Sequence, residues 1–277
     1  MKINLAKSAG FCFGVKRALS IATETVGEGS AVYMLGDIVH NEDVVRKIEL
    51  AGIKKIKTLA NGKNKTLLIR AHGAPINTIK KALKNGYEIV DATCPMVKEI
   101  HKIAKGMESK GYKIIVIGDK NHDEVHGIIG QLKGKAIVID SPKHIPWKTI
   151  KRLNKACVVV QSTQNLYNVL QIVELLKEHI GDLEFFNTIC QPTRSKQEEI
   201  RIMPAQNDVM IIIGSKTSAN TRRLYEISKA INKRTYWISS KKDIKFSWLK
   251  GAKCVGITAG ASTPDSTTRE IIKYINT

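Results

Sequence analysis

The sequence contains no apolar run long enough to span a membrane. Its first fifteen residues, MKINLAKSAGFCFGV, hold no long hydrophobic stretch, so neither a secretory leader nor a membrane anchor is expected, and the cytoplasm is the expected location. There is no CxxC pair, and the five cysteines are an odd number. That pattern does not suit a disulfide framework; thiols kept reduced serve metal binding or catalysis instead. Aromatic residues make up only 5% of the chain, which argues against recognition of nucleic acid by base stacking. Acidic side chains are scarce: 25 against 45 basic ones, a net charge of +20. Such an excess suits an acidic partner, whether nucleic acid, a phosphorylated metabolite or an acidic protein. The lysines are scattered, with mild clusters at Lys54, Lys55, Lys57, Lys63 and Lys65 and at Lys241, Lys242 and Lys245. We read them as a solvated surface rather than a nucleic-acid site.

What the chain does have is an internal repeat, visible when the cysteines are used as rulers. Three strand-like runs end in glycine, at Gly36, Gly118 and Gly214. Each glycine lies 24 residues after a cysteine (12 to 36, 94 to 118, 190 to 214). Each of those cysteines follows a short strand-like segment, and apolar residues at helical spacing follow Cys12 (Val15, Ala18, Leu19, Ala22) and Cys94 (Met96, Ile100, Ile103). Pro95 suits the first position of a helix. A basic residue stands four places after every cysteine: Lys16, Lys98 and Arg194. A second strand-like run begins near residues 66, 157 and 254, and each leads into a polar turn holding His72, Ser162 or Ser262. Strands alternating with helices predict an α/β fold with mainly parallel sheets. The expected division is 13–94, 95–187, and 188–277 together with the N-terminal strand segment 1–12.

Cys12, Cys94 and Cys190 therefore occupy one repeated position, a strand-to-helix junction. A helix N-terminus favours negative charge and hence the thiolate that binds metal. Thiolates select zinc, Cu(I) or iron–sulfur clusters. Three equivalent thiolates suit a cubane held at three corners, with the fourth iron open to substrate. The ordinary alternative, a small buried hydrophobe, suits one lone cysteine better than three at one repeat position. Cys157 and Cys254 fall in second strands, where the first unit has Thr66 and Leu67, and are expected to pack in the core.

Counting from the three glycines gives a second set of equivalent positions: His40, His122 and Ser218 four residues on, and Glu42, Glu124 and Asn220 six residues on. With His72, Ser162 and Ser262 they form a donor-rich set suited to an oxyanion such as a diphosphate. A Walker loop, a GxGxxG fingerprint and an HExxH pair are all missing, so anion binding would rest on side chains and a zinc-protease reading fails. His101, His144 and His179 lie outside the repeat and are expected in surface or capping roles.

GFCFGV around Cys12, VHN at His40, RAHG at His72, DATCP at Cys94, HDEV at His122, QST at Ser162, TSAN at Ser218 and TAGAS at Ser262 together resemble the 4-hydroxy-3-methylbut-2-enyl diphosphate reductase family, IspH/LytB. Eight motifs in order span essentially the whole chain. The resemblance implies a trefoil of three α/β units around a central cluster, and the last step of the non-mevalonate isoprenoid pathway. An allylic alcohol diphosphate would lose its hydroxyl as water and yield isopentenyl and dimethylallyl diphosphate. It implies one [4Fe–4S] cluster per chain on Cys12, Cys94 and Cys190, and a ferredoxin or flavodoxin as electron donor. It implies diphosphate binding by His40, His72, His122, Ser218, Asn220 and Ser262, and proton handling by Glu124 with Ser162. The family often has Thr at Ser162 and Ser at Ala219; the first change keeps the hydroxyl, and at Ala219 a backbone N–H can still serve. Two competing functions are another three-cysteine cluster enzyme, such as a quinolinate-synthase-like dehydratase, and a non-catalytic basic nucleic-acid-binding module.

Overall fold

The chain is described from a computed structural model over residues 1–27 and 31–276. In chain order it runs β1 (Lys2–Leu5), α1 (Phe13–Gly27), β2 (Ala31–Leu35), α2 (Glu42–Leu50), β3 (Lys54–Ile56), β4 (Lys65–Ile69), α3 (Ile76–Lys84) and β5 (Glu88–Asp91). There follow α4 (Pro95–Ser109), β6 (Lys113–Ile117), α5 (Asp123–Ile129), β7 (Ile137–Ile139), α6 (Trp147–Ile150), β8 (Lys155–Val160), α7 (Leu166–Lys177) and β9 (Asp182–Phe185). The last stretch holds α8 (Gln191–Ile202), β10 (Val209–Ile213), α9 (Ala219–Ile231), β11 (Thr235–Ile238), β12 (Cys254–Ala259) and α10 (Asp265–Ile275).

Among the described residues the strands make three four-stranded sheets, ordered β3-β2-β4-β5, β7-β6-β8-β9 and β11-β10-β12-β1, and every pairing is parallel. The three orders are the same order, with β1 taking in the last sheet the place that β5 and β9 take in the others. The expectation of a parallel α/β fold is met.

Parallel strands covered by helices on both faces need apolar side chains on both faces. β10 (VMIII) is buried at every residue, and β8 buries Ala156 to Val160 without a break. Burying each such aliphatic side chain contributes about 1.5–3 kcal/mol. Two core clusters line the two faces of the sheet β7-β6-β8-β9, one around Ile115, Val158 and Ile172, the other around Ile114, Val116 and Cys157. The helix starts are also written locally: Pro95 occupies the first turn of α4, and Asn165 caps α7 by accepting the N–H groups of Tyr167 and Asn168.

By contacts the chain forms two compact units. The first comprises Met1–Lys16, Val39–Arg46 and Gln191–Thr277, and holds the sheet β11-β10-β12-β1. The second comprises Arg17–Ile38 and Lys47–Cys190, and holds the other two sheets. Among the described residues no helix is long and apolar enough to cross a membrane.

Candidate active site

Cys12, Cys94 and Cys190 each stand immediately before a helix, at the starts of α1, α4 and α8, and all three are partly buried. Their backbones are tied the same way. The N–H of Cys12 donates to Ala261 O (3.1 Å), that of Cys94 to Ala71 O (2.9 Å) and that of Cys190 to Ser162 O (3.2 Å). Each cysteine is thus pinned to the polar turn after the neighbouring strand, at the carboxyl end of its sheet, where ligands of such sheets collect. Cys12 Sγ also accepts the N–H of Val15 at 3.5 Å. None of the five cysteines is in a disulfide. Cys157 is different in kind: it is fully buried in the β8 core, and burial, with Glu184 adding to it, pushes its thiol up to about 12. Cys254 is only partly buried, with its N–H held by Asp208 at 2.9 Å.

In the second unit, Glu124 lies in the first turn of α5 and is 2% exposed. Ser162, in the turn after β8, donates to it twice: its N–H to Oε1 (2.6 Å) and its hydroxyl to Oε2 (2.8 Å). Burial favours the neutral acid, and the two hydrogen bonds favour the carboxylate. Burial wins, and the carboxyl is raised to about 7. A carboxyl that exchanges its proton near neutrality is suited to acid–base work. His122 caps the same helix, its Nδ1 accepting the N–H of Glu124 at 3.1 Å, which places the ring proton on Nε2. The His72 ring meets it edge-to-face with centroids 5.5 Å apart.

In the first unit, Ser218 caps α9 by accepting the Thr221 N–H at 3.3 Å, so Ala219 and Asn220 form the opening of a thirteen-residue helix. The positive end of such a helix favours an anion. Asn220 is 3% exposed. Its Oδ1 accepts the N–H of Ala261 at 3.0 Å, while its buried Nδ2 has no hydrogen-bond partner among the described residues. A buried amide donor left open at a helix N-terminus is suited to an anionic ligand. Ser262 in the same turn donates its hydroxyl to His40 O at 2.9 Å, which ties that histidine's loop to the strand end. Glu42, the register partner of Glu124, accepts instead from Ser215 at 2.8 Å.

Two features escaped the sequence reading. Arg70, at the end of β4, forms a 2.7 Å ion pair with Asp123, the first residue of α5, and so fixes the His72 and His122 loops to each other. His101 holds no surface or capping role. It packs under the His72 turn, where Gly73 (φ +77°) has room only for hydrogen, because a Cβ there would lie 2.9 Å from the imidazole. Burial lowers His101 to about 4, so it is a neutral packing group at physiological pH. The Arg–Asp pair spans 53 residues and follows no periodicity; the neighbouring motifs RAHG and HDEV were its only trace.

Thiols at helix starts, a buried amide donor at the N-terminus of α9 and a carboxyl raised to about 7 are groups that suit a class, the α/β enzymes that act on an anionic substrate. Comparison with known proteins narrows it. The chain belongs to the LytB protein family, whose pattern it matches over residues 3–276. The 4-hydroxy-3-methylbut-2-enyl diphosphate reductase of Geotalea daltonii is 40% identical over 275 residues, covering 99% of this chain and 97% of that protein. The enzyme of the same name from Campylobacter hominis is 40% identical over 279 residues, covering 100% and 99%. A solved structure of the E-1-hydroxy-2-methyl-but-2-enyl-4-diphosphate reductase from Plasmodium falciparum matches with a TM-score of 0.91 at 27% identity, covering all of this chain and 88% of that one. Another, of an (E)-4-hydroxy-3-methyl-but-2-enyl diphosphate reductase described as the terminal enzyme of the non-mevalonate pathway, matches with a TM-score of 0.73 at 38% identity, covering 100% and 99%. The resemblance carried by the eight motifs is borne out.

Proposed function

We propose that the chain catalyses the reaction its relatives are named for, the reductive dehydroxylation of (E)-4-hydroxy-3-methylbut-2-enyl diphosphate to isopentenyl and dimethylallyl diphosphate. It is an oxidoreductase of the non-mevalonate isoprenoid pathway. The observation that carries this reading is the threefold recurrence of one bond, a cysteine N–H donating to the polar turn beside it. The proposed division into units 13–94, 95–187, and 188–277 with 1–12 gives each unit one such turn and one helix that opens directly after a site cysteine.

The residues fit an iron–sulfur cluster. Three thiols in one repeated setting are partly exposed and outside any disulfide, and the buried thiol of Cys157 is set apart from them. Cys12, Cys94 and Cys190 would hold one [4Fe–4S] cluster, which when bound supplies the electrons of the reduction. A ferredoxin or flavodoxin is the proposed source of those electrons, and the +20 charge suits such an acidic partner. The cytoplasm is the proposed setting, since reducing conditions keep the thiols available.

The rest of the chemistry falls to this chain's own side chains. His40, His72, His122, Ser218 and Asn220 donate hydrogen bonds to the diphosphate, Ser262 joins them when its hydroxyl turns from His40 O to the ligand, and the start of α9, including the Ala219 backbone, adds its dipole. The reaction breaks the C–O bond of the allylic alcohol and forms one C–H bond. It consumes two electrons and two protons and releases one water. Glu124 delivers the proton that turns the departing hydroxyl into water, and Ser162 holds the carboxyl in place through Oε1 and Oε2.

Asn220→Asp tests the diphosphate reading. The change keeps the shape and the oxygen that accepts from Ala261, but replaces the open amide donor with a carboxylate oxygen. Affinity for the substrate and for inorganic diphosphate should fall roughly tenfold to hundredfold, the worth of a hydrogen bond to a charged group. Iron content should not change. Parental affinity in titration calorimetry would remove Asn220 from the diphosphate site.

A further inference from the structure

Lys196 lies on α8 and is 3% exposed, an unusual place for a lysine. Its ammonium donates to three backbone carbonyls: Ser8 O, Gly10 O (3.1 Å) and Ala259 O (3.1 Å). An ammonium has three N–H bonds and no acceptor, so it is suited to carbonyls that converge in this way. One turn along the same helix, Glu199 takes the opposite groups of the same loop. Its carboxylate accepts the N–H of Lys7 (2.6 Å), the N–H of Ser8 (3.0 Å) and the Ser8 hydroxyl (2.6 Å). Burial works to raise this carboxyl, but the Ser8 and Lys7 hydrogen bonds, with the Lys196 charge, hold it below the usual range. The pair is spaced i, i+3 and shares one helix face.

The loop so gripped leads straight to Cys12. Gly10 has φ +93°, and a Cβ there would lie 2.3 Å from Asp265 Oδ1, so the backbone is pressed against the start of α10. The Gly10 N–H donates to Ala259 O and the Cys12 N–H to Ala261 O. Ala259 ends the strand that precedes the Ser262 turn, and Lys196 grips it as well.

We infer that Lys196 and Glu199 are positioning residues: a two-charge clamp that sets the Cys12 loop, and the neighbouring Ser262 turn, before any cluster is bound. The inference rests on the ligand role proposed for Cys12. A loop without secondary structure of its own would otherwise leave that thiol to find its place during metal binding. The clamp removes that freedom by satisfying the loop's donors with a carboxylate and its acceptors with an ammonium. The two residues lie on the helix that begins directly after Cys190, so one element carries both the clamp and the junction of another cysteine.

The test is amide hydrogen exchange in the full-length, cluster-free chain, comparing the parent with Lys196→Met and Glu199→Gln. Both variants should speed exchange at the Gly10 and Cys12 amides by roughly tenfold or more, as expected when hydrogen bonds to charged groups are lost. The β10 amides should keep their protection, and so should the Cys94 amide in the other unit. Alkylation of Cys12 should become faster while that of Cys94 does not, and iron uptake on anaerobic reconstitution should slow. If Lys196→Met loses the β10 protection, it has unfolded, and Glu199→Gln alone decides. Parental exchange at Gly10 and Cys12 in a folded variant overturns the clamp, as does slowed iron uptake with unchanged exchange. Normal iron in Cys12→Ser would instead remove the ligand role of Cys12 and leave the exchange result standing, so the two failures are distinguishable.

Discussion

Cys94→Ser should strip the anaerobically purified protein of most of its iron, from about four atoms per chain in a cubane to a small remainder. The same loss is expected from Cys12→Ser and Cys190→Ser, because the three share one setting: a helix start, partial burial and a backbone bond to a polar turn. Serine keeps the size but is a poor ligand for iron, which prefers the soft thiolate. The two other cysteines are the controls. Cys157→Ser places a hydroxyl in an apolar core beside Val116 and Val159, which should cost about 1–3 kcal/mol of stability without loss of iron in the folded protein. Cys254→Ser, at the partly buried start of β12, should change neither. Iron analysis and the visible absorption of the cluster read all five. Full iron in Cys94→Ser would defeat the ligand assignment.

Glu124→Gln should retain iron and substrate affinity yet lose turnover by roughly a hundredfold or more, the usual cost of removing a general acid. Glutamine keeps an oxygen for the Ser162 N–H, and its amide can meet the Ser162 hydroxyl, so the fold should tolerate the change. It cannot release a proton as an acid. The pH profile gives an independent check. With the carboxyl raised to about 7, the acid form predominates below that pH and is lost above it. The parental rate should therefore fall as pH rises through about 7, and this limb should vanish in the variant. Stability follows the same sign. The folded state holds a proton that the unfolded chain, with an ordinary carboxyl near 4.5, releases earlier. The contribution from Glu124 is thus fully present below that lower value and is lost as pH rises through about 7. Glu42→Gln, whose carboxylate is engaged by Ser215, should have a much smaller effect on rate. A parental rate in Glu124→Gln with full iron would assign the proton to another donor.

The features of this protein that could be read from its sequence are those written locally or repeated. Apolar runs such as VMIII and KIIVI became β10 and β6 because unbroken β-branched segments suit a doubly covered parallel strand. The recurring interval from cysteine to glycine marked the repeat, and the matching order of the three sheets is its physical counterpart. The candidate site residues could be named because each sits in a motif that follows a strand. What the sequence did not disclose are bonds between distant segments. Lys196 reads as one more solvated helical lysine, and it becomes a buried clamp only because the chain returns to it from Ser8, Gly10 and Ala259. The Arg70–Asp123 pair and the packing of His101 beneath Gly73 are hidden for the same reason. Neither periodicity nor spacing encodes which loops meet across sheets, since burial of an ordinarily polar side chain is decided by what packs over it.

The most direct measurement is anaerobic turnover of (E)-4-hydroxy-3-methylbut-2-enyl diphosphate by the iron-replete protein with a small artificial reductant. The expected result is isopentenyl and dimethylallyl diphosphate, with two electrons consumed and one water released per substrate. Unchanged substrate in the presence of a fully loaded, reducible protein would contradict the account.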